Sequence, residues 1–164
     1  MRANARLATV EFSVAALAVL SIGAAAIHFA VIADHFKEWW LIGLFFAGLG
    51  WFQALWSVAY LLFPARRLGW LAIGINLATV LLWAWTRTLG LPLGPDPGVP
   101  EPVGIPDSLA SVLELLLVIG LFKTGGPALS ANVDGESQQA ILATLAVAVV
   151  VAGATSAAIV LGGM

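Results

Sequence analysis

Runs of about 20 apolar residues follow one another along nearly the whole chain, each long enough to cross a hydrocarbon core of about 30 Å as a helix. Lipid supplies no hydrogen-bond partner for a bare backbone, so each run must satisfy its own amides, and only a helix does that within one segment. Of the 164 residues, 61% are hydrophobic and 10% charged, which leaves no stretch polar enough for a water-soluble domain. The expected fold is all-α: a single five-span transmembrane bundle in the lipid bilayer of the plasma membrane.

The spans are expected at 7–33, 36–63, 68–89, 107–122 and 139–161, with a Pro/Gly-rich loop at 90–106. The first run is longer than a signal peptide's apolar region, so it is expected to stay as a span and not be cleaved after Ala24-Ala25-Ala26. The fourth span is the shortest and carries Glu114 in its middle. Basic residues orient the bundle. With the N-terminus inside, the inner segments hold Arg2, Arg6, Arg66, Arg67 and Lys123, and the outer ones only Lys37 and Arg87. Five spans then put the C-terminus outside. Short connections at Asp34 and at Pro64 to Arg67 predict that spans one, two and three pack as antiparallel neighbours.

Small residues mark expected helix contacts: Gly43, Ala47, Gly50 and Ala54 on span two, and Gly74 and Ala78 on span three. These serve packing within the chain or a homo-oligomer seam. Most tryptophans sit near span ends, as interfacial indoles do.

The few ionisable residues are unevenly placed. His28 lies toward the outer end of span one, and Asp34, His35, Lys37 and Glu38 follow. Arg87 closes span three, and Glu101 stands in the outer loop. Asp107 and Glu114 lie seven apart on span four, hence on one helix face. An ionisable group in hydrocarbon costs several kcal/mol, on the order of 3, so Glu114 must be paired, protonated, metal-bound or wet. Each residue has a plain structural reading as well: Asp107 as a helix cap, Glu114 paired with Arg87, His28 as a hydrogen-bonded core residue. None of these explains why both histidines and most acids gather on one side.

Two imidazoles with several carboxylates form a mixed nitrogen and oxygen donor set, which suits a divalent transition metal such as copper or zinc. The expected ligand set is His28, His35, Glu38, Glu101, Asp107 and Glu114, with Arg87 as a charge partner. Deeper in the membrane, Gln53 and Asn76 are expected to bond each other across spans two and three. The 90–106 loop holds six prolines within fifteen residues and is expected to fold back as a stiff lid. No cysteine is present, which excludes thiolate chemistry, and no basic cluster exists to grip nucleic acid. No nucleotide-binding, serine-hydrolase or zinc-protease motif occurs.

Two stretches carry a family likeness. One is Trp85-Thr86-Arg87-Thr88-Leu89-Gly90-Leu91-Pro92-Leu93-Gly94-Pro95, continuing through Pro100-Glu101-Pro102 to Asp107 and Glu114. The other is His28, then His35, Glu38-Trp39-Trp40, Gly43-Leu44-Phe45-Phe46 and Gln53. Together they resemble small uncharacterised multi-pass membrane proteins of actinobacteria, over about the first three quarters of the chain. The resemblance implies a cellular setting and no activity.

The leading expectation is therefore a membrane protein that holds a divalent metal at its outer face. A proton- or metal-linked transporter, a metal-dependent membrane oxidoreductase and a structural subunit of a larger complex remain open. Depth separates the first two. A polar site that ends at His28 and Glu114 is a pocket, whereas one running on through Gln53 and Asn76 to Glu11 is a conduit.

Overall fold

The computed structural model describes residues 2–124, with side chains from Ser13 onward. Four helices make up this region: α1 (Arg2–Glu38), α2 (Trp40–Leu62), α3 (Arg66–Thr88) and α4 (Ile105–Lys123). Each is long and apolar enough to cross a membrane. The fifth expected span, 139–161, lies outside the described residues, as does the side chain of Glu11.

The first boundary differs from expectation. Span one does not turn at Asp34. It runs on as helix through Asp34, His35 and Glu38, and the chain breaks at Trp39, whose backbone is extended at φ −159° and ψ 122°. Nothing between His28 and Glu38 breaks a helix, and His35 and Lys37 in its last turn complement the negative end of the helix dipole. At 37 residues, α1 is about 55 Å long, well beyond the thickness of a hydrocarbon core. Its last turn holds the exposed Asp34, Lys37 and Glu38, so these polar residues extend the helix and do not end it. Residues 36–38, expected to open span two, belong to α1.

A tight reversal then follows. The Phe36 ring lies where a Cβ at Gly43 would stand, so α2 folds back against the end of α1 only because that position is glycine. Farther along, the Phe29 ring approaches within 3.0 Å of where a Gly50 Cβ would be. Ala25, Phe29, Ile32 and Ala54 form the buried cluster of this interface. The small residues of α2 thus serve packing against α1. On α3 the expectation fails, since Gly74 is exposed and a Cβ there would meet nothing within 4 Å among the described residues.

Neighbour order also differs from expectation. α1 packs between α2 and α4, and α3 leans chiefly on α4 and meets α2 sparsely. Two side-chain hydrogen bonds tie α2 to α3: Trp56 Nε1 to the Leu68 carbonyl at 2.8 Å, and Gln53 to Asn76 at 3.1 Å. One half of the bundle is a dense apolar cluster that includes Val14, Leu17, Trp56, Tyr60, Leu117 and Leu121. All of these lie toward the α1 N-terminal end. The polar residues occupy the other half.

The loop expected at 90–106 folds back over that polar half, as its prolines predict, but it ends at Gly104, and Ile105 and Pro106 open α4. Its Glu101 amide donates to the Thr86 carbonyl at 3.0 Å, and Gly98 N–H donates to Leu91 O at 2.7 Å. Trp85 Nε1 donates to the Gly90 carbonyl at 3.0 Å. Gly90 has φ +70°, and a Cβ there would come within 2.5 Å of the Val99 carbonyl oxygen, so two separate constraints demand glycine at the loop's first turn.

Candidate functional site

The site grows from one buried carboxylate. Glu114, on the inward face of α4, is 1% exposed. Its Oε1 accepts a hydrogen bond from Gln53 Nε2 at 2.8 Å and lies 3.0 Å from His28 Nε2. Gln53 also donates from Nε2 to Asn76 Oδ1 at 3.1 Å, and Asn76 passes its own N–H to the Ala72 carbonyl at 2.8 Å. Ser21 Oγ donates to the Gln53 backbone carbonyl at 2.9 Å. Four helices therefore converge on one hydrogen-bonded chain: His28 from α1, Gln53 from α2, Asn76 from α3 and Glu114 from α4. All four side chains are buried.

Counting donors and acceptors along this chain leaves a remainder. With Glu114 ionised and the His28 ring neutral, Nε2 carries the proton it shares with Oε1 and Nδ1 is an acceptor. Among the described residues, His28 Nδ1, Glu114 Oε2 and Gln53 Oε1 have no partner. A buried polar atom left without a partner costs about 1–3 kcal/mol. Three such atoms on three successive residues of one network mark a place that something else completes.

A cavity of about 230 Å³ opens beside them. His28 and Glu114 line it, as do Trp39, Phe45, Phe46 and Trp83. Arg87, at the end of α3, borders it as well and ties the lid down. One guanidinium nitrogen contacts Glu101 Oε2 at 2.5 Å and the other Asp107 Oδ2 at 2.5 Å. Thr86 Oγ1 also accepts from Arg87 at 2.5 Å. Among the described residues, Arg87 Nε and Trp83 Nε1 are buried without partners.

Of the six expected ligand residues, His28, His35, Glu101, Asp107 and Glu114 line this one cavity, and Glu38 does not. They are divided into separate pairings. His28 sits with Glu114, and Glu101 and Asp107 are both held by Arg87. His35 Nδ1 lies 3.4 Å from Glu38 Oε2 at the surface, where its ring stacks on Phe46 with centroids 4.1 Å apart. Among the described residues no three His, Asp or Glu side chains come together in a set that could hold a metal ion. Glu38 departs from the expected set because it stands in the last turn of α1, beyond the cavity mouth.

Other expectations are sorted in the same way. Arg87 is a charge partner, of Glu101 and Asp107 and not of Glu114. Asp107 does not cap α4; Gly104 holds that position, and the Asp107 carboxylate in the first turn turns to Arg87. The Gln53–Asn76 bond is present. Its extension from Gln53 to Glu114 is the stretch of polar file that the conduit reading expects, whereas the aromatic walls from Phe46 and Trp83 were not foreseen. Residue spacing carried no signal for these walls.

Comparison with protein-family models, with curated proteins and with solved structures returned no match. The site's meaning therefore rests on its geometry.

Proposed function

We propose that this chain is a five-span plasma-membrane protein, N-terminus inside and C-terminus outside, that binds a small ligand in the cavity at its outer face. The His28–Glu114–Gln53–Asn76 chain is the polar floor of that site, and the 90–106 loop is its cover. The observation that carries the binding reading is where the polar chain stops. Among the described residues it runs from His28 and Glu114 through Gln53 to Asn76 and ends at the Ala72 carbonyl, and beyond it Leu17, Leu117 and Leu121 close the bundle, each no more than 3% exposed. A conduit needs a polar path on both sides of the network, and this one is blocked on one side by apolar packing. The orientation rests on the split of basic residues. The resemblance to small actinobacterial multi-pass proteins supports the plasma-membrane setting.

Cysteine labelling tests this reading cleanly, because the chain has no cysteine of its own. Ser111→Cys, on the cavity wall, is expected to react with a membrane-impermeant thiol reagent added outside and not inside. Ser57→Cys, buried deeper on α2, is expected to stay unreactive from either side. Reaction of both positions from the inner side would replace the pocket with a conduit and reverse the orientation.

A divalent metal, copper or zinc, is the second reading. What favours it is the pair of unpartnered donor atoms, His28 Nδ1 and Glu114 Oε2. A zinc-type site needs three or more protein ligands at about 2.0–2.2 Å. Asp107 or Glu101 would have to leave Arg87 to provide one. On the ligand-pocket reading, purified wild-type protein carries no stoichiometric metal. Finding one equivalent that His28→Ala abolishes would put the metal reading first.

A further inference from the structure

Resting on the pocket reading above, we infer that the cavity takes a small organic ammonium ion with an apolar body and an oxygen acceptor. The first argument is charge. Three carboxylates, Glu101, Asp107 and Glu114, border the cavity against one fixed cation, Arg87. That cation is already engaged by Glu101 and Asp107. Glu114 has only a neutral amide and an imidazole beside it, and its second oxygen is bare at 1% exposure. A buried carboxylate in this state calls for a positive charge that also brings N–H donors.

The second argument is the wall. Trp39, Phe45, Phe46 and Trp83 surround the space. Aromatic faces attract a desolvated cation within about 6 Å of the ring centroid, and this repels an anion of the same shape. The third is the pair of unpartnered donors, Arg87 Nε and Trp83 Nε1. An ammonium group leaves them unanswered, while an oxygen on the same molecule answers them. At about 230 Å³, the cavity falls below the roughly 300–1,000 Å³ of drug-sized sites, which limits the occupant to a small molecule.

Three probes of one skeleton separate the terms: phenylalaninol, with ammonium and hydroxyl; phenylpropanol, with hydroxyl alone; and phenylpropanoate, an anion. Binding is read as saturable change in tryptophan fluorescence of the full chain in lipid nanodiscs, against empty nanodiscs. Phenylalaninol is expected to bind at least about tenfold more tightly than phenylpropanol, with phenylpropanoate weakest. Glu114→Gln is expected to abolish the preference, and Ala110→Phe, which fills the cavity from its wall, to abolish binding of all three.

If phenylpropanol or phenylpropanoate matches phenylalaninol and is lost in Ala110→Phe, the ammonium inference falls and the pocket stands. If none of the three binds saturably, both fall. A phenylalaninol preference that survives Ala110→Phe lies elsewhere on the protein and also overturns the inference. The wild-type series decides the matter even where Glu114→Gln does not fold.

Discussion

Replacing His28 by leucine is expected to lower the stability of the folded bundle by about 3 kcal/mol, the cost of leaving a buried carboxylate without its hydrogen-bond donor. Both partners are nearly inaccessible, His28 at 3% exposure and Glu114 at 1%. Glu114 would keep only the Gln53 bond to its Oε1, with a charge still inside the bundle. The double replacement His28→Leu/Glu114→Leu is expected to cost clearly less than the two single losses added together. With both polar groups gone, no charge is stranded, and leucine fills much of the volume. Unfolding in mixed micelles, followed by helix content, measures all four proteins of the cycle. Coupling of at least about 1 kcal/mol is the expected result. Strict additivity, within about 0.3–0.5 kcal/mol, would mean that the 3.0 Å contact carries no energy and that His28 and Glu114 do not act as a pair.

This pair also marks how far residue spacing reaches. Depth is legible in the sequence, because a helix advances about 1.5 Å per residue and a span's ends can be found from its polar flanks. His28, Glu114 and Arg87 were therefore assignable to one end of the bundle, and Gln53 and Asn76 to its middle. Rotation is not legible. Each residue turns the helix by about 100°, and a span that is apolar nearly all round has no polar face to orient it. Glu114 facing Arg87 and Glu114 facing His28 are therefore equally good readings of the same string, and the packing of α4 against α1 selects the second. That packing is local and steric: Gly120 accommodates the Leu17 side chain, and Gly23 that of Leu113. Neighbour order was hidden for a related reason. The short connection from Phe63 to Ala65 forces α3 to start beside α2, yet nothing in it stops α3 from leaning toward α4. The extent of α1 was misjudged because polar residues at 34–38 look like a loop when water is assumed to end a span. A helix with no breaker continues through such residues, and this one does.

Arg87 makes the second strong prediction, because a single guanidinium joins the end of α3, the start of α4 and the covering loop. Arg87→Met is expected to release the 90–106 loop. It removes the one cation that Glu101 and Asp107 share, two acids of which 28% and 20% of the side-chain surface is exposed, and leaves like charges facing each other. Losing such a partly buried, charge-assisted cation is expected to cost about 2–3 kcal/mol, less than a fully buried pair because water reaches the mouth. Hydrogen exchange at the Glu101 amide reads the effect directly, since that N–H is held by the Thr86 carbonyl beside Arg87. Its protection is expected to fall by about thirtyfold or more, in line with about 2 kcal/mol at 1.4 kcal/mol per decade. Arg87→Lys should recover only part of it, because an ammonium keeps the charge but not the planar fork that reaches two carboxylates at 2.5 Å each. Adding Glu101→Gln and Asp107→Asn to Arg87→Met removes the repulsion and is expected to restore much of the protection. Unchanged protection in Arg87→Met would show that the prolines alone hold the loop. No recovery in the triple variant would show that the guanidinium's own packing against Trp83, 6.0 Å from that ring, and not its charge, holds the cover in place.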